Sequence, residues 1–154
     1  MAPRGKPKRL VVDASVLLAF YLPAEPYKEQ ALALLAEATA EQARLLVPTL
    51  ARYEVLNALS RAVRGLRTGA CLSLEEAQEI LAALAGLPLE ERPLTGLEEE
   101  ILRLSQALDR TVYDAAYLAL ARKENVPFVT GDARLYHAVR EKFPTIQWLG
   151  HGKP

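Results

Sequence analysis

Apolar and polar positions along this chain follow two alternating periods, and the switches between them outline the elements. Residues 9–13 hold Leu10, Val11 and Val12 in one unbroken apolar run, the pattern of a strand buried on both faces. A short helix is predicted over 15–22, stopped by Pro23. A second helix starts near Pro26, with Ala31, Leu32, Leu34, Leu35 and Ala38 spaced as one apolar face. Residues 44–47 read as a second buried strand ended by Pro48. Thr49 is then placed to cap a helix whose apolar face is Tyr53, Leu56, Leu59, Ala62 and Val63, with Gly65 and Gly69 closing it. Ser73 with Glu76 and Thr95 with Glu98 each match a capping box, so helices are expected to open at Leu74 and Gly96, separated by a short strand over 90–94. The helix from Leu74, with its turn, reads as a helical hairpin packed on the core. Thr111 opens a helix running to Asn125, and strands over 127–130 and 146–149 flank a helix over 133–142. Strands separated by helices imply an α/β fold with a mostly parallel central sheet and right-handed crossovers.

Composition narrows this picture to one domain. At 154 residues with 51% hydrophobic content, the chain can bury a sizeable core, and no linker interrupts it. Residues 9–150 are read as the single domain, preceded by a solvated basic arm over 1–8 without fixed structure. Lys+Arg and Asp+Glu both total 19, so no global positive field draws nucleic acid, and any such partner must be met by a local cluster. Cys71 is the only cysteine and has no internal partner, while His137 and His151 are the only histidines. Those counts disfavour zinc and fit a reducing cytoplasm. The first apolar run breaks at Asp13, too early for a signal peptide, and no stretch reaches the roughly 18 apolar residues that a membrane span needs.

The carboxylates carry the chemistry. Of 19 acidic residues only four are aspartates, and three of these, Asp13, Asp114 and Asp132, stand where a strand ends or a helix begins. In a parallel sheet the strand carboxyl ends and the following helix N-termini share one edge, where ligands bind. Glu54 reaches the same edge one turn inside its helix, with Asn57 at i+3 on the same face. Acids converging from distant parts of a sequence repel one another unless a cation sits among them. All-oxygen ligation favours Mg²⁺ or Mn²⁺. Each acid also has a local reading: Asp13 and Asp132 as caps or turn residues, Asp114 as the third helical residue behind Thr111, and Glu54 as an ordinary helix glutamate.

Four segments resemble the PIN-domain family, and within it the toxins of VapBC toxin–antitoxin systems. They are Val11-Val12-Asp13-Ala14-Ser15, Glu54-Val55-Leu56-Asn57-Ala58-Leu59, Val112-Tyr113-Asp114-Ala115-Ala116-Tyr117-Leu118-Ala119-Leu120-Ala121 and Val129-Thr130-Gly131-Asp132. The resemblance implies a three-layer α/β/α fold and a metal-dependent ribonuclease with Asp13, Glu54, Asp114 and Asp132 as its acidic quartet. Ser15 and Thr130 match the small hydroxyl residues that support the first and last acids. It further implies a homodimer and an antitoxin partner, whose segment lies in a groove near the acids. Val16, Leu17, Phe20, Tyr21, Leu50 and Tyr53 are the apolar residues expected to serve that assembly.

The chemistry these residues permit is phosphodiester hydrolysis by metal-activated water, with no side-chain nucleophile. Arg52, Arg61, Arg64 and Arg67 are candidates for RNA phosphate contacts, against the plain reading of solvated helix charge. A single-stranded or looped RNA suits a narrow acidic edge better than a duplex. Two other classes remain open. A non-catalytic protein-binding module would explain apolar helices but not the quartet. A haloacid dehalogenase-type phosphatase would need a second aspartate where Ser15 stands.

Overall fold

A computed structural model describes residues 5–23, 27–67 and 71–151. Five strands form one sheet, β1 (Lys8–Val12), β2 (Ala43–Pro48), β3 (Leu89–Arg92), β4 (Phe128–Thr130) and β5 (Ile146–Trp148), in the order β3-β2-β1-β4-β5. Among the described residues every pairing is parallel, and the α/β expectation holds. Strand β1 is central, and its Leu10, Val11 and Val12 are all buried although successive side chains point to opposite faces. Helices must therefore cover both faces, which is the three-layer arrangement.

Among the described residues seven α-helices complete the fold: α1 (Ala14–Ala19), α2 (Lys28–Thr39), α3 (Ala51–Val63), α4 (Leu74–Ala85), α5 (Glu98–Leu108), α6 (Val112–Glu124) and α7 (Ala133–Val139). Helix α6 is the buried one, with every residue from Ala115 to Ala121 in the core. It starts on Thr111, whose hydroxyl accepts the Asp114 N–H at 3.1 Å, and ends on Asn125 in the left-handed region at φ 53°. Helix α4 opens on the complete capping box expected of Ser73 and Glu76, and it packs against α3. The chain fills the sheet on one side of β1 and then crosses to the other, leaving a crevice at the carboxyl ends of β1 and β4.

Several local expectations fail for identifiable reasons. Thr49 does not cap α3; its hydroxyl points across to the Arg92 carbonyl at 3.4 Å, and Leu50 takes the cap position without a side-chain bond. Thr95 does not open a helix at Gly96, because Gly96 has φ 91° and α5 begins two residues later. Glu98 instead accepts the Gly96 N–H at 2.7 Å. The inward face of α3 is Ala51, Val55, Leu59 and Ala62, whereas Tyr53 is 72% exposed and Leu56 45%. Leu32 likewise faces outward on α2. Helices α1 and α7 both stop about three residues short of their predicted ends. At α1 the Lys28 ammonium donates to the carbonyls of Ala19, Phe20 and Leu22, so a side chain terminates the helix in place of further turns. Lys8 belongs to β1, paired with Ala43, so the arm expected over 1–8 ends before it. Pro26 and Gly69 lie outside the described residues.

Candidate active site

Asp13 follows the last residue of β1 and caps α1, accepting the Val16 N–H at 3.2 Å. Two hydroxyls hold the same carboxylate: Ser15 donates to Oδ1, and Thr130, fully buried at the end of β4, donates to Oδ2 at 2.5 Å. Both hydroxyls reach further. Ser15 Oγ accepts the Gly131 N–H at 2.8 Å, and Thr130 Oγ1 accepts the Asp132 N–H at 3.0 Å. Gly131 is closely approached here: a Cβ at that position would lie 2.6 Å from the Tyr27 hydroxyl and 3.0 Å from Ser15 Oγ, so a larger residue would have to displace those side chains. The ends of β1 and β4 are thus stitched together through one aspartate. Burial pushes the Asp13 carboxyl up to about 6, against the pull of the Ser15, Thr130 and Val16 bonds, and the charge of Glu54 adds to the rise.

Glu54 arrives from the first turn of α3 and is half-buried. Its Oε1 accepts the hydroxyl of Tyr117 at 2.5 Å. Tyr117 sits one turn after Asp114 on α6, is 2% exposed, and stacks on Phe128 with ring centroids 5.6 Å apart. Burial raises the Glu54 carboxyl above its ordinary value; the Tyr117 bond opposes that rise, and the charge of Asp114 reinforces it.

Asp114 and Asp132 form the outer part of the rim. Burial raises Asp114 most, the charge of Asp132 next, while the Arg110 guanidinium and the Thr111 hydrogen bond pull it down. Asp132 caps α7, its Oδ1 accepting the N–H groups of Arg134 at 2.9 Å and Leu135 at 3.2 Å. The four acids therefore act on one another in series: Glu54 on Asp13, Asp114 on Glu54, and Asp132 on Asp114. The expected convergence is partial in distance, because among the described residues no three His, Cys, Asp or Glu side chains close into a metal-holding group. Asp13 and Asp132 are each turned onto a helix N-terminus, and Glu54 is drawn back to Tyr117. As a donor set, four carboxylates with no nitrogen or sulfur ligand fit a hard divalent cation that keeps part of its water shell.

The four predicted arginines are arranged differently. Arg52 is near the rim but is paired with Glu91 at 2.6 Å. Helix α3 runs away from the acids, so Arg61 and Arg64 lie about 10 and 15 Å beyond Glu54 along its axis, and Arg67 stands past the helix end, after the chain turns at Gly65. Arg61 donates to the Leu66 carbonyl at 3.4 Å. Asn57 is exposed one turn beyond Glu54. His137 is on the surface, against Tyr136. Sequence reasoning passed over Arg110 and Tyr117. Arg110 was signalled by a cation placed just before a helix N-cap, where the helix dipole disfavours it. Tyr117 was signalled by a phenol in the middle of an otherwise alanine- and leucine-rich buried stretch, where its hydroxyl must find a partner.

A row of carboxylates at the switch point of a five-stranded parallel sheet defines the class, and the chain belongs to the PIN-domain family, whose PIN domain profile matches residues 10–141. Within that family it is 38% identical over 141 residues to ribonuclease VapC3 of Pyrobaculum aerophilum, covering 90% of this chain and 97% of that protein. It is 34% identical over 130 residues to ribonuclease VapC9 of Mycobacterium tuberculosis, covering 82% and 87%. Among solved structures the fold is similar to PAE2754 of Pyrobaculum aerophilum, with a TM-score of 0.60, 24% identity and 85% and 79% of the two chains covered. It is also similar to a toxin–antitoxin complex from Klebsiella pneumoniae, with a TM-score of 0.62, 14% identity and 90% and 95% covered.

Proposed function

We propose that this protein is a Mg²⁺- or Mn²⁺-dependent endoribonuclease that acts as the toxin of a toxin–antitoxin pair, with Asp13, Glu54, Asp114 and Asp132 as its working acids. The observation that carries this reading is the serial coupling of the four carboxylates along one sheet edge, each raising the proton affinity of the next. Purely structural acids gain nothing from such an arrangement, and it is relieved by a divalent cation. The names of the VapC relatives agree with it.

A divalent cation, when bound, supplies Lewis acidity that lowers the pKa of water and neutralises charge growing on the leaving oxygen. The chain's own residues do the rest. Asp13 and Glu54 would hold the cation on the inner side, where Ser15, Thr130 and Tyr117 fix their orientation, and Asp114 and Asp132 would hold it from the rim. Arg110, beside Asp114, is the cation best placed to meet a phosphate oxygen; Arg61 and Arg64 would meet only RNA running along α3, and Arg67 is half-buried beyond the end of that helix. The exposed ring of Tyr113, one residue before Asp114, suits stacking on splayed bases of single-stranded RNA.

An antitoxin segment would lie in the groove of about 410 Å³ lined by Leu17, Val55, Leu56, Leu81, Leu84 and Leu87. Of the residues expected to serve assembly, Val16, Leu17 and Phe20 belong to the core, so the outer surface of a homodimer falls instead to Tyr53 and Leu56. Among the described residues no helix is long and apolar enough to cross a membrane, and a cytoplasmic location fits an exposed, unpaired Cys71.

Incubation of the purified protein with single-stranded RNA tests the proposal. Acid-soluble fragments should form with Mn²⁺, cease with EDTA and return on re-addition of metal. Undiminished cleavage in EDTA would remove the metal mechanism, and absence of cleavage with every divalent ion tried would favour a non-catalytic docking module.

A further inference from the structure

We propose that Tyr117 is a positioning residue for the metal site, its hydroxyl holding Glu54 so that one carboxylate oxygen faces the protein and the other is left for a cation. The inference rests on the metal-nuclease reading and deepens it. Three observations carry it.

First, the 2.5 Å bond from Tyr117 Oη to Glu54 Oε1 is the one side-chain hydrogen bond that Glu54 makes among the described residues. Asp13 and Asp132, by contrast, accept several. A glutamate on a peripheral helix has three rotatable bonds, and without that partner nothing fixes its head group.

Second, the oxygen that accepts the phenol's hydrogen is a carboxylate oxygen, 2.5 Å away. Such charge-assisted bonds are about twice as strong as neutral ones.

Third, the ring itself is immobile. It is buried, lies on the buried α6 helix one turn from Asp114, and stacks on Phe128 of β4 at an interplanar angle of 14°. Tyr117 therefore transmits the fixed geometry of β4 and α6 to Glu54, which stands on a separate helix. Outer-shell hydrogen bonds of this kind orient first ligands and typically alter metal affinity by about 10- to 100-fold.

The experiment compares wild type with Tyr117→Phe and Phe143→Leu, reading Mn²⁺ binding by calorimetry, the Mn²⁺ concentration for half-maximal RNA cleavage, and Tm in EDTA. Tyr117→Phe keeps the ring and removes only the hydroxyl. It should weaken Mn²⁺ binding and raise the half-saturating Mn²⁺ concentration by about 10- to 100-fold, with most of the cleavage rate recovered at saturating metal. Phe143→Leu, which damages core packing beside Arg122 and Pro127 and touches neither Tyr117 nor an acid, should lower Tm and leave the half-saturating concentration within about twofold of wild type. If Tyr117→Phe binds and uses Mn²⁺ like wild type, Tyr117 is a packing residue and this inference fails while the nuclease reading stands. A loss of rate in Tyr117→Phe that saturating Mn²⁺ does not restore overturns it as well. A wild type that neither binds Mn²⁺ nor cleaves RNA removes the nuclease reading, and the inference falls with it.

Discussion

Asp13 and Asp132 hold equivalent places in the chain and opposite places in the site. Each follows a strand of the adjacent pair β1 and β4, and each is turned onto the N-terminus of the short helix that comes next. Asp13 is buried, and its two oxygens are shared among two hydroxyls and a backbone N–H. Asp132 is exposed, and backbone N–H groups alone bind its Oδ1. The difference shows that capping and site chemistry are not rival explanations. A cap fixes where a carboxylate stands. What else the carboxylate touches decides whether it is also a rigid, destabilised ligand.

The largest effect that could break the comparison concerns activity. Asp13→Asn, Glu54→Gln, Asp114→Asn and Asp132→Asn should each lower metal-dependent RNA cleavage by orders of magnitude with the fold retained by circular dichroism. Wild-type rates in any two of them would dissolve the quartet. Thr130→Val comes next. It removes the donor to Asp13 Oδ2 and the acceptor for the Asp132 N–H inside the core, and denaturant titration should show a loss of about 1–3 kcal/mol. A change inside experimental error would mean that the two aspartates are not coupled through this hydroxyl.

Acidity sharpens the contrast further. The folded pKa of Asp13, about 6, lies above the 3.8 of an unstrained aspartate, so the folded state binds more protons between those values. Its contribution to stability is thus largest below about pH 4 and is lost as pH rises through about 6, with a limiting slope of about 1.4 kcal/mol per pH unit. Melting curves in EDTA across that window should slope downward in wild type and flatten in Asp13→Asn; an unchanged slope would place the raised group elsewhere. The smallest effect separates the rim. In EDTA at neutral pH, Asp132→Asn should cost about 0.3–1 kcal/mol, because asparagine caps well but does not meet the helix dipole. Asp114→Asn should leave stability unchanged or raise it by about 1 kcal/mol as repulsion is relieved. Destabilisation by Asp114→Asn would mark that residue as a cap in its own right.

The sequence was most legible where local and global signals agree. The apolar run before Asp13, the capping box at Ser73 and the helix from Thr111 to Asn125 all depend on side chains within a turn of one another, and all three stand. Thr49 and Thr95 carried the same local signals and failed, because Thr49 found a carbonyl on a neighbouring strand and Gly96 left the helical region. The inward face of α3 was misread through Tyr53 and Leu56, whose hydrophobicity looked like burial. The acids could be placed because a parallel sheet fixes its own ligand-binding edge. Their distances and the Tyr117 bond could not, since each depends on how α3 leans on α6, which no spacing records.

The hydrogen bond between Thr130 and Asp13 spans 117 residues of chain, and that between Gly131 and Ser15 spans 116. During synthesis the first aspartate of the site emerges ahead of these partners by more than a hundred residues. The join between β1 and β4 is therefore unfinished until both strands have been made, and closing it is a late, long-range step of folding.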